Sequence, residues 1–399
     1  MHKTPSGKTV EKTPDTTNPQ SRHNERKQYE EVKVMNSIRD KLRKNKALIA
    51  KADKGNSIII VYESEYEQKV LDFISHGGAE EVNSNITKKF QKDLRNTTNS
   101  CKSLIDTEKK GKLINLNPET LPWRGLIKVH KEGTPICPVV NFKNAPSYKL
   151  AKMLTDILKS HLPMPNVYNV QNSTQLMNDI SQIPFMPELK LASLDISNMY
   201  TNIQTKDLIS IINTICKNHN IEDTITREII AITNLIITQN YFSFQDKTYI
   251  QNKGLALGAP TSSILSEIYL QFLENTKIFD ILKEKTVIGY FRYVDDILIV
   301  YNENTTDANQ VLKSFNDISP SLTFTLEQEK ENKLNFLDIL IIKTKDKISF
   351  DIYRKEITSD IIIPNDSCHP TEQKLAAIRY FTNRINTIST TQKNRRKQM

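Results

Sequence analysis

Apolar and polar positions along the chain change from a helical period near the N-terminus to short alternating runs further on. Apolar side chains spaced three or four residues apart predict a basic helix over Tyr29–Ala50. After a turn at Lys51–Gly55, the β-branched run Ser57–Tyr62 predicts a strand. A second helical stretch is predicted over Tyr66–Leu104, with an interruption at two adjacent glycines.

From Leu121 onward, short strands alternate with helices. This mixed order predicts an α+β fold built on an antiparallel sheet. The predicted helices are Lys206–Lys217, Asp223–Gln239, Thr261–Glu274 and Asp307–Phe315, and the predicted hairpins are Tyr241–Ile250 and Val287–Tyr301. The remaining strands are predicted at Leu189–Ile196, Leu322–Leu326, Leu334–Ile342 and Ile348–Tyr353.

Composition restricts the class of protein. The chain has 399 residues, of which 38% are hydrophobic and 25% are charged, as is typical of globular proteins. Residues 1–28, rich in Thr, Pro, Asn and Lys, are the exception and are predicted to form a disordered basic tail. No apolar run approaches the roughly 18 residues of a membrane span. The N-terminus also has no apolar signal-peptide core, so a membrane protein and a secreted protein are both excluded.

The four cysteines of the sequence lie far apart, and none belongs to a Cys-x-x-Cys pair. This spacing excludes a zinc cluster and a disulfide framework. It predicts a chain that works in a reducing, intracellular compartment.

Positive charge is concentrated at the two ends of the chain. The net charge is +9, with 14 basic and 7 acidic residues in 1–54, and 7 basic and 1 acidic in 370–399. The centre of the chain is therefore mildly acidic. Basic ends around an acidic centre are typical of a nucleic-acid-binding protein whose centre does metal chemistry, and simple solubility explains them equally well.

Two adjacent carboxylates, Asp295 and Asp296, are the sharpest chemical feature of the sequence. They follow Tyr293 and Val294 between two strand-like runs, which predicts that they lie at the tip of a β-hairpin. Adjacent strand residues point to opposite faces, so we do not expect Asp295 and Asp296 to be equivalent ligands. One should face the site and the other assist from the side, and we expect Asp296 to be the one that faces away. An Asp-Asp surface turn is the alternative interpretation.

A third carboxylate, Asp195, lies at the end of a predicted buried strand well upstream of the hairpin. A strand-end aspartate that faces a hairpin Asp-Asp is the carboxylate set that two Mg²⁺ ions need for in-line phosphoryl transfer. Such sites use one or two carboxylates per ion together with substrate phosphates. A cap for the following helix is the competing interpretation of Asp195.

Between these carboxylates lies a glycine-rich loop that precedes a predicted helix. Its sequence is Gly254-Leu-Ala-Leu-Gly258-Ala-Pro260. Glycine lets the backbone approach a ligand closely, and a helix N-terminus favours phosphate. The loop is therefore a candidate for contact with a nucleic acid or nucleotide, and a plain loop would explain it too.

Taken in order, the three features resemble motifs A, B and C of reverse transcriptases. The surrounding motifs are similar to those of the Penelope-like retroelement branch, and the similarity runs from about Lys51 to Arg384. The motifs that carry it are Gly125-Leu-Ile-Lys128-Val-His130-Lys131, Asp195-Ile-Ser-Asn-Met-Tyr200-Thr-Asn-Ile203, Leu334-Asn-Phe-Leu-Asp338, Tyr353-Arg-Lys355 and Ser367-Cys-His-Pro370.

The resemblance implies a right-hand polymerase with fingers, a palm that has an antiparallel sheet, and a small thumb. It places an N-terminal helical extension at 29–120, the fingers and palm at 121–355, and a partial thumb with a basic tail at 356–399. The implied enzyme is an RNA-directed DNA polymerase that extends a DNA primer with dNTPs on an RNA template. The implied site of action is nuclear, without a membrane partner, and the oligomeric state is left open.

The resemblance also assigns roles to individual residues. Asp195, Asp295 and Asp296 are implied to bind two Mg²⁺ ions, which Mn²⁺ can replace, and to catalyse the reaction. Tyr200 is implied to block a ribose 2′-hydroxyl, which argues against an RNA-dependent RNA polymerase, a rival that shares the palm. Further contacts are implied for Lys128, Lys131 and Gly258 with the incoming nucleotide, and for Gly254 and Pro260 with the template–primer.

Three departures from the family pattern support a different function. Cys137 replaces the triphosphate-binding arginine of the family, and Ile127 replaces the proline before Lys128. Because the sequence stops at Met399, the resemblance leads us to expect a protein without the GIY-YIG nuclease that many family members carry. A catalytically decayed, nucleic-acid-binding remnant is therefore the alternative to an active enzyme.

Overall fold

The computed structural model describes residues 19–54, 57–82, 86–129, 131–165, 168–256, 258–354 and 362–388. The helices are α1 (Pro19–Lys44), α2 (Glu63–His76), α3 (Ile86–Ser100), α4 (Thr107–Leu113), α5 (Tyr148–His161), α6 (Ser173–Ser181), α7 (Met199–Asn202), α8 (Thr205–Asn218), α9 (Asp223–Thr238), α10 (Ser262–Leu273), α11 (Phe279–Glu284), α12 (Ala308–Asn316) and α13 (Thr371–Ile388). The strands are β1 (Ala47–Lys51), β2 (Ile58–Tyr62), β3 (Ala79–Val82), β4 (Trp123–Ile127), β5 (Ile136–Val140), β6 (Leu189–Ile196), β7 (Tyr241–Phe244), β8 (Lys247–Gln251), β9 (Gly289–Tyr293), β10 (Asp296–Asn302), β11 (Phe324–Gln328), β12 (Lys333–Phe336), β13 (Ile339–Lys343) and β14 (Ile348–Ile352).

A four-stranded antiparallel sheet, in the order β11-β6-β10-β9, forms the centre of the fold. In the β6–β10 pair, Asp195 lies opposite Asp296 and Leu189 lies opposite Asn302. One face of the sheet packs on helices α5, α8, α9, α10 and α12 in a single buried cluster. Apolar residues on the other face of β6 and β10 are buried as well, so this sheet is covered on both sides.

The second face of the central sheet packs on α6, on α13 and on the three-stranded sheet β12-β13-β14. Leu191 of β6 and Leu298 of β10 lie in one buried cluster with Ile341 of β13. A buried ion pair, 2.7 Å from Lys343 Nζ to Glu329 Oε1, joins the end of β13 to the segment after β11.

Three smaller sheets lie towards the N-terminal part of the chain: β3-β8-β7, β4-β5 and β1-β2. The first two share an apolar cluster that includes Trp123 and Phe242. The β1–β2 hairpin is attached to β4, because Ala52 forms a parallel bridge with Ile127.

The sequence correctly predicts most elements of the central part of the chain. Strand β6 has the predicted bounds, and both predicted hairpins form. The hairpin β7–β8 turns at Gln245 and Asp246, which adopt φ values of 48° and 60°. The predicted α+β class with an antiparallel sheet is confirmed.

Two predictions for the N-terminal helix are wrong. Helix α1 begins at Pro19, inside the predicted disordered tail, and residues 1–18 of that tail lie outside the described residues. The helix ends at Lys44 and not near Ala50, because Lys46 adopts a left-handed conformation (φ 48°) and turns the chain into β1.

Two further predictions differ from the structure in individual strands. The stretch predicted as helix over Tyr66–Leu104 contains strand β3, which pairs with β8, so the extension at 29–120 is not purely helical. The predicted strand Leu334–Ile342 is the hairpin β12–β13, whose turn contains Leu337 at a φ of 54°.

Parts of the predicted thumb lie outside the described residues. These are the predicted boundary within 355–361 and the basic tail at 389–399. Within the predicted thumb, the structure describes residues 362–388, which include helix α13. Among the described residues, no helix is both long and apolar enough to cross a lipid bilayer. All four cysteines lie in the described part of the chain as free thiols.

Candidate active site

The candidate catalytic residues meet where the β9–β10 hairpin crosses the end of β6. Val294 and Asp295 form the turn of this hairpin, and Asp296 is the first residue of β10. Val294 has a φ of 58°, and the backbone N–H of Ile196 donates to the carbonyl oxygen of Asp295 over 3.2 Å. The turn is therefore attached to β6 directly beside Asp195.

The strand register determines which way the carboxylates project. Asp195 and Asp296 are directly opposite each other in the β6–β10 pair. Opposite residues of an antiparallel pair project from the same face, so Asp296 lies on the Asp195 side of the sheet. The prediction that Asp296 points away from the site is wrong. The alternation rule fails here because Asp295 belongs to the turn, where the period of two does not apply.

The pKa of Asp295 is affected by burial and by the charged groups around it. Burial raises the pKa of the Asp295 carboxyl, and the charge of Asp195 raises it further. A backbone hydrogen bond and the positive charges of Lys54 and Lys128 act in the opposite direction, without cancelling the rise. Carboxylates that disfavour each other's ionisation in this way are stabilised together by a bound cation.

The three carboxylates are candidate ligands for metal ions. Within the part of the chain that the structure describes, no three His, Cys, Asp or Glu side chains form a metal-holding group by themselves. Mg²⁺ in phosphoryl-transfer sites does not need such a group, because substrate phosphates and waters complete its coordination. The carboxylate oxygens of Asp195, Asp295 and Asp296, and the effect of the Asp195 charge on Asp295, therefore fit a hard divalent cation.

Lys54 is a functional candidate that sequence reasoning missed. It lies between β1 and β2, and its charge acts on Asp295 and on Cys137. The backbone N–H of Asp53 donates to the carbonyl oxygen of Ile127 over 3.0 Å, which holds this turn against β4. The available signal was the basic turn Lys51–Gly55, but only the folded hairpin brings it to the carboxylates.

Lys128 and Cys137 lie on the neighbouring β4–β5 hairpin. Burial raises the pKa of the Cys137 thiol, and the charge of Asp53 adds to this effect, whereas Lys128 and Lys54 oppose it. A thiol offers phosphate a weak donor only, in contrast to arginine. The positive charge beside Asp295 therefore comes from Lys54 and Lys128.

Tyr200 lies in α7, half-buried beside the carboxylates. The pKa of its phenol is raised, mainly by burial and also by the charges of Asp295 and Glu267. A hydrogen bond with Ser266 acts in the opposite direction. Its carbonyl oxygen accepts a hydrogen bond from Leu255 N over 2.7 Å. This position, between the carboxylates and α10, is compatible with a nucleotide-facing role and with a packing role.

Gly254 and Gly258 are points of close approach between segments. Both are left-handed, with φ values of 76° and 90°. A Cβ on Gly254 would lie 2.5 Å from Thr201 Cα, and a Cβ on Gly258 would overlap the carbonyl oxygen of Val140. The loop thus packs backbone to backbone against α7 on one side and β5 on the other, which only glycine permits.

Lys131 and Pro260 are held by contacts within the protein. The backbone N–H of Lys131 donates to the carbonyl oxygen of Lys128 over 3.0 Å. The carbonyl oxygen of Pro260 accepts a hydrogen bond from the Thr155 hydroxyl over 3.4 Å. Their predicted contacts with nucleotide and template–primer stay predictions.

Two carboxylates paired across antiparallel strands, with a third in the adjoining turn, form a candidate site for nucleotidyl transfer. Comparison with protein families agrees, since residues 139–354, more than half of the chain, match the family "Reverse transcriptase (RNA-dependent DNA polymerase)". The chain belongs to the reverse transcriptase family, and its domain is that of an RNA-directed DNA polymerase. No curated protein matches the chain by sequence.

Solved telomerase structures share this fold. Telomerase from Candida albicans, in complex with a TWJ fragment of telomeric RNA, matches with 11% identity and a TM-score of 0.54, covering 80% of this chain and 56% of the telomerase. Apo telomerase from Candida tropicalis matches with 9% identity and a TM-score of 0.53, covering 85% and 61%. The chain thus spans less than two thirds of these telomerases, and the likeness establishes the polymerase fold alone.

Proposed function

We propose that this protein is the reverse transcriptase of a Penelope-like retroelement and acts in the nucleus. It extends the 3′-hydroxyl of a DNA primer with dNTPs on an RNA template. The observation that carries the proposal is the register of Asp195 opposite Asp296, with Asp295 in the adjoining turn. The Penelope-like assignment rests on the flanking motifs, such as Leu334–Asp338.

In this proposal, Asp195, Asp295 and Asp296 hold two Mg²⁺ ions, which Mn²⁺ can replace. Such ions stabilise the attacking and leaving oxygens of an in-line displacement. Lys54 and Lys128 bind and orient the triphosphate of the incoming nucleotide through charge-assisted hydrogen bonds. Lys131 and the backbone at Gly258 contact the incoming nucleotide, and Gly254 and Pro260 contact the template–primer.

Primer extension on poly(rA)/oligo(dT) with dTTP and Mg²⁺ tests the proposal. Extension by the wild-type protein supports it, and a preference for ribonucleotides would identify an RNA polymerase instead. Salt-sensitive primer–template binding without any extension, in Mg²⁺ or Mn²⁺, would identify the decayed remnant.

The decayed remnant is the second candidate, because Cys137 stands where the family has arginine. Against it, the three carboxylates are intact and Lys54 and Lys128 place positive charge next to them. As point charges, these two lysines can bind the triphosphate in place of the missing arginine. Substitution of each lysine tests whether it binds the triphosphate.

We expect Lys54→Met and Lys128→Met each to raise the KM for dNTP about tenfold, the size of one charge-assisted hydrogen bond. Steady-state kinetics of primer extension measure this. Lys51→Met, an exposed lysine of the same hairpin, is the matched control and should leave KM unchanged. If Cys137→Arg lowers KM while the lysine variants do not raise it, the triphosphate site lacks its cation in this chain.

We expect Tyr200→Ala to raise the use of rNTP relative to dNTP, because the ring that excludes the 2′-hydroxyl is lost. The measurement is kcat/KM for both nucleotides, together with a melting curve. A packing role would instead leave sugar discrimination unchanged and cost on the order of 3–5 kcal/mol of stability. That outcome would remove Tyr200 from the nucleotide site.

A further inference from the structure

Arg292 of β9 lies directly behind the catalytic turn and is fully buried, with 0% of its surface exposed. Its Nε donates to Glu274 Oε1 over 2.5 Å, and its two terminal nitrogens reach Glu274 Oε2 (3.0 Å), Glu267 Oε1 (2.8 Å) and Glu267 Oε2 (2.9 Å). The remaining N–H donates to the carbonyl oxygen of Val294 over 3.2 Å. All five N–H groups of the guanidinium are therefore used.

Both carboxylates that hold Arg292 come from one continuous helical segment. Glu267 lies in α10, and Glu274 begins a π-helical turn, Glu274–Ile278, between α10 and α11. Glu267 also accepts hydrogen bonds from Asn169 and Gln271. Local π-helical turns often occur at functional sites, and here the turn begins at the residue that binds the guanidinium.

The charges of this cluster are strongly coupled. Burial opposes ionisation of Glu267, but the hydrogen bonds and charge of Arg292 outweigh it and lower the pKa of Glu267. Burial likewise opposes the charge of Arg292, and the two glutamates outweigh it and raise the pKa of Arg292. The shifts of Glu267 and Arg292 therefore both favour the charged forms of these two groups beneath the turn.

Stability alone does not account for this cluster, because a buried ion pair is weak evidence for stability. Its bond to Val294 is more informative. Val294 is a β-branched residue at a φ of 58°, a conformation that such residues rarely adopt and that surrounding structure must impose. The next two residues are Asp295 and Asp296, so the conformation of Val294 sets where both carboxylates project.

We propose that Arg292 is a positioning residue for catalysis: it holds the carbonyl of Val294 and so fixes the turn that presents Asp295 and Asp296, while Glu267 and Glu274 hold the guanidinium. This inference rests on the proposed polymerase function of the same carboxylates. It assigns to the Glu267–Glu274–Arg292 cluster the task of keeping a strained turn in one conformation.

The main test is Arg292→Lys, which keeps the charge but cannot make five hydrogen bonds in a fixed plane. We expect kcat for primer extension to fall about a hundredfold, the cost of a small misplacement of reacting groups. The KM for dNTP and the affinity for primer–template should stay close to their wild-type values, because Lys54, Lys128 and the other phosphate contacts are untouched.

The matched control is Lys343→Met, which breaks another buried ion pair at the opposite end of β6. It should lower the melting temperature and leave kcat unchanged below that temperature. If Arg292→Lys lowers the melting temperature with kcat unchanged, Arg292 is structural and the proposal is overturned. If the wild-type protein does not extend a primer at all, it is the proposed function that fails.

A second-site variant separates positioning from general damage. In the Arg292→Lys background, Val294→Gly should recover about tenfold of the lost kcat, because glycine adopts the left-handed conformation without support. The same change should lower the melting temperature further, since Val294 packs against the core. A failure to recover kcat would contradict the proposed role of the bond to Val294. If Arg292→Lys does not fold, Glu274→Gln with the same second change gives the same test.

Discussion

Asp295→Asn is expected to reduce primer extension at least about a thousandfold, which corresponds to about 4 kcal/mol of the activation barrier. The substitution removes one charge from the carboxylate cluster with almost no change in volume. Primer–template affinity should barely change, because contacts between basic side chains and phosphate dominate it. Single-turnover extension and equilibrium binding measure the two quantities separately.

Asp195→Asn and Asp296→Asn should cost extension by a comparable factor, because the register places both residues on the same face. Asp246→Asn is the matched control, since Asp246 lies in the turn of another hairpin, β7–β8, where it is exposed. It should extend primers like the wild type. Wild-type rates for Asp295→Asn would show that the cluster does not bind the catalytic ions.

Gly258→Ala is expected to destabilise the protein by about 3 kcal/mol, combining left-handed strain with steric overlap. The added methyl group would meet the carbonyl oxygen of Val140, which belongs to a strand and cannot move aside like a flexible side chain. Denaturant unfolding measures the stability. Extension should fall as well, because the loop and β5 must separate.

Substitutions at two other glycines separate the cost of backbone strain from the cost of steric overlap. Gly133 has a φ of 72° with open space around its Cβ position, so Gly133→Ala should cost only the strain, about 1–2 kcal/mol. Gly111 lies in helix α4 with open space, and Gly111→Ala should stabilise the protein by up to about 1 kcal/mol. Equal losses for Gly258→Ala and Gly133→Ala would mean that the contact with Val140 is not restrictive.

The central strands and the carboxylates on them are the part of the fold that sequence reasoning predicts best. In strand β6 and in the β9–β10 hairpin, apolar residues are buried on both faces of the sheet, and the apolar runs are interrupted at the aspartates. Burial on both faces requires a nearly continuous apolar run, which can be recognised from a short stretch of sequence. The prediction for Asp296 failed because Asp295 belongs to the two-residue turn, where the alternation does not apply, and the register with β6 is not visible in the sequence.

The errors elsewhere have a shared physical cause. Chain reversals at Lys46 and Leu337 place the left-handed conformation on residues that rarely adopt it, so only a weak signal from the neighbouring Asn45 and Asp338 marks them. Strand β3 contains two adjacent glutamates and is recognisable only from its partner β8. Lys54 reaches the carboxylates only through the docking of one hairpin on another, a contact between residues that are distant in sequence.

The pairing of β3 with β8 has a practical consequence for producing the protein in pieces. The family match begins at residue 139, whereas β3 and the buried residues Val70, Phe90 and Leu94 precede it. A fragment that starts at 139 would lack β3, so the edge of β8 would be exposed. It would also lack residues that belong to two apolar clusters. Exposed strand edges promote aggregation, so the smallest soluble fragment of this polymerase should begin before α2.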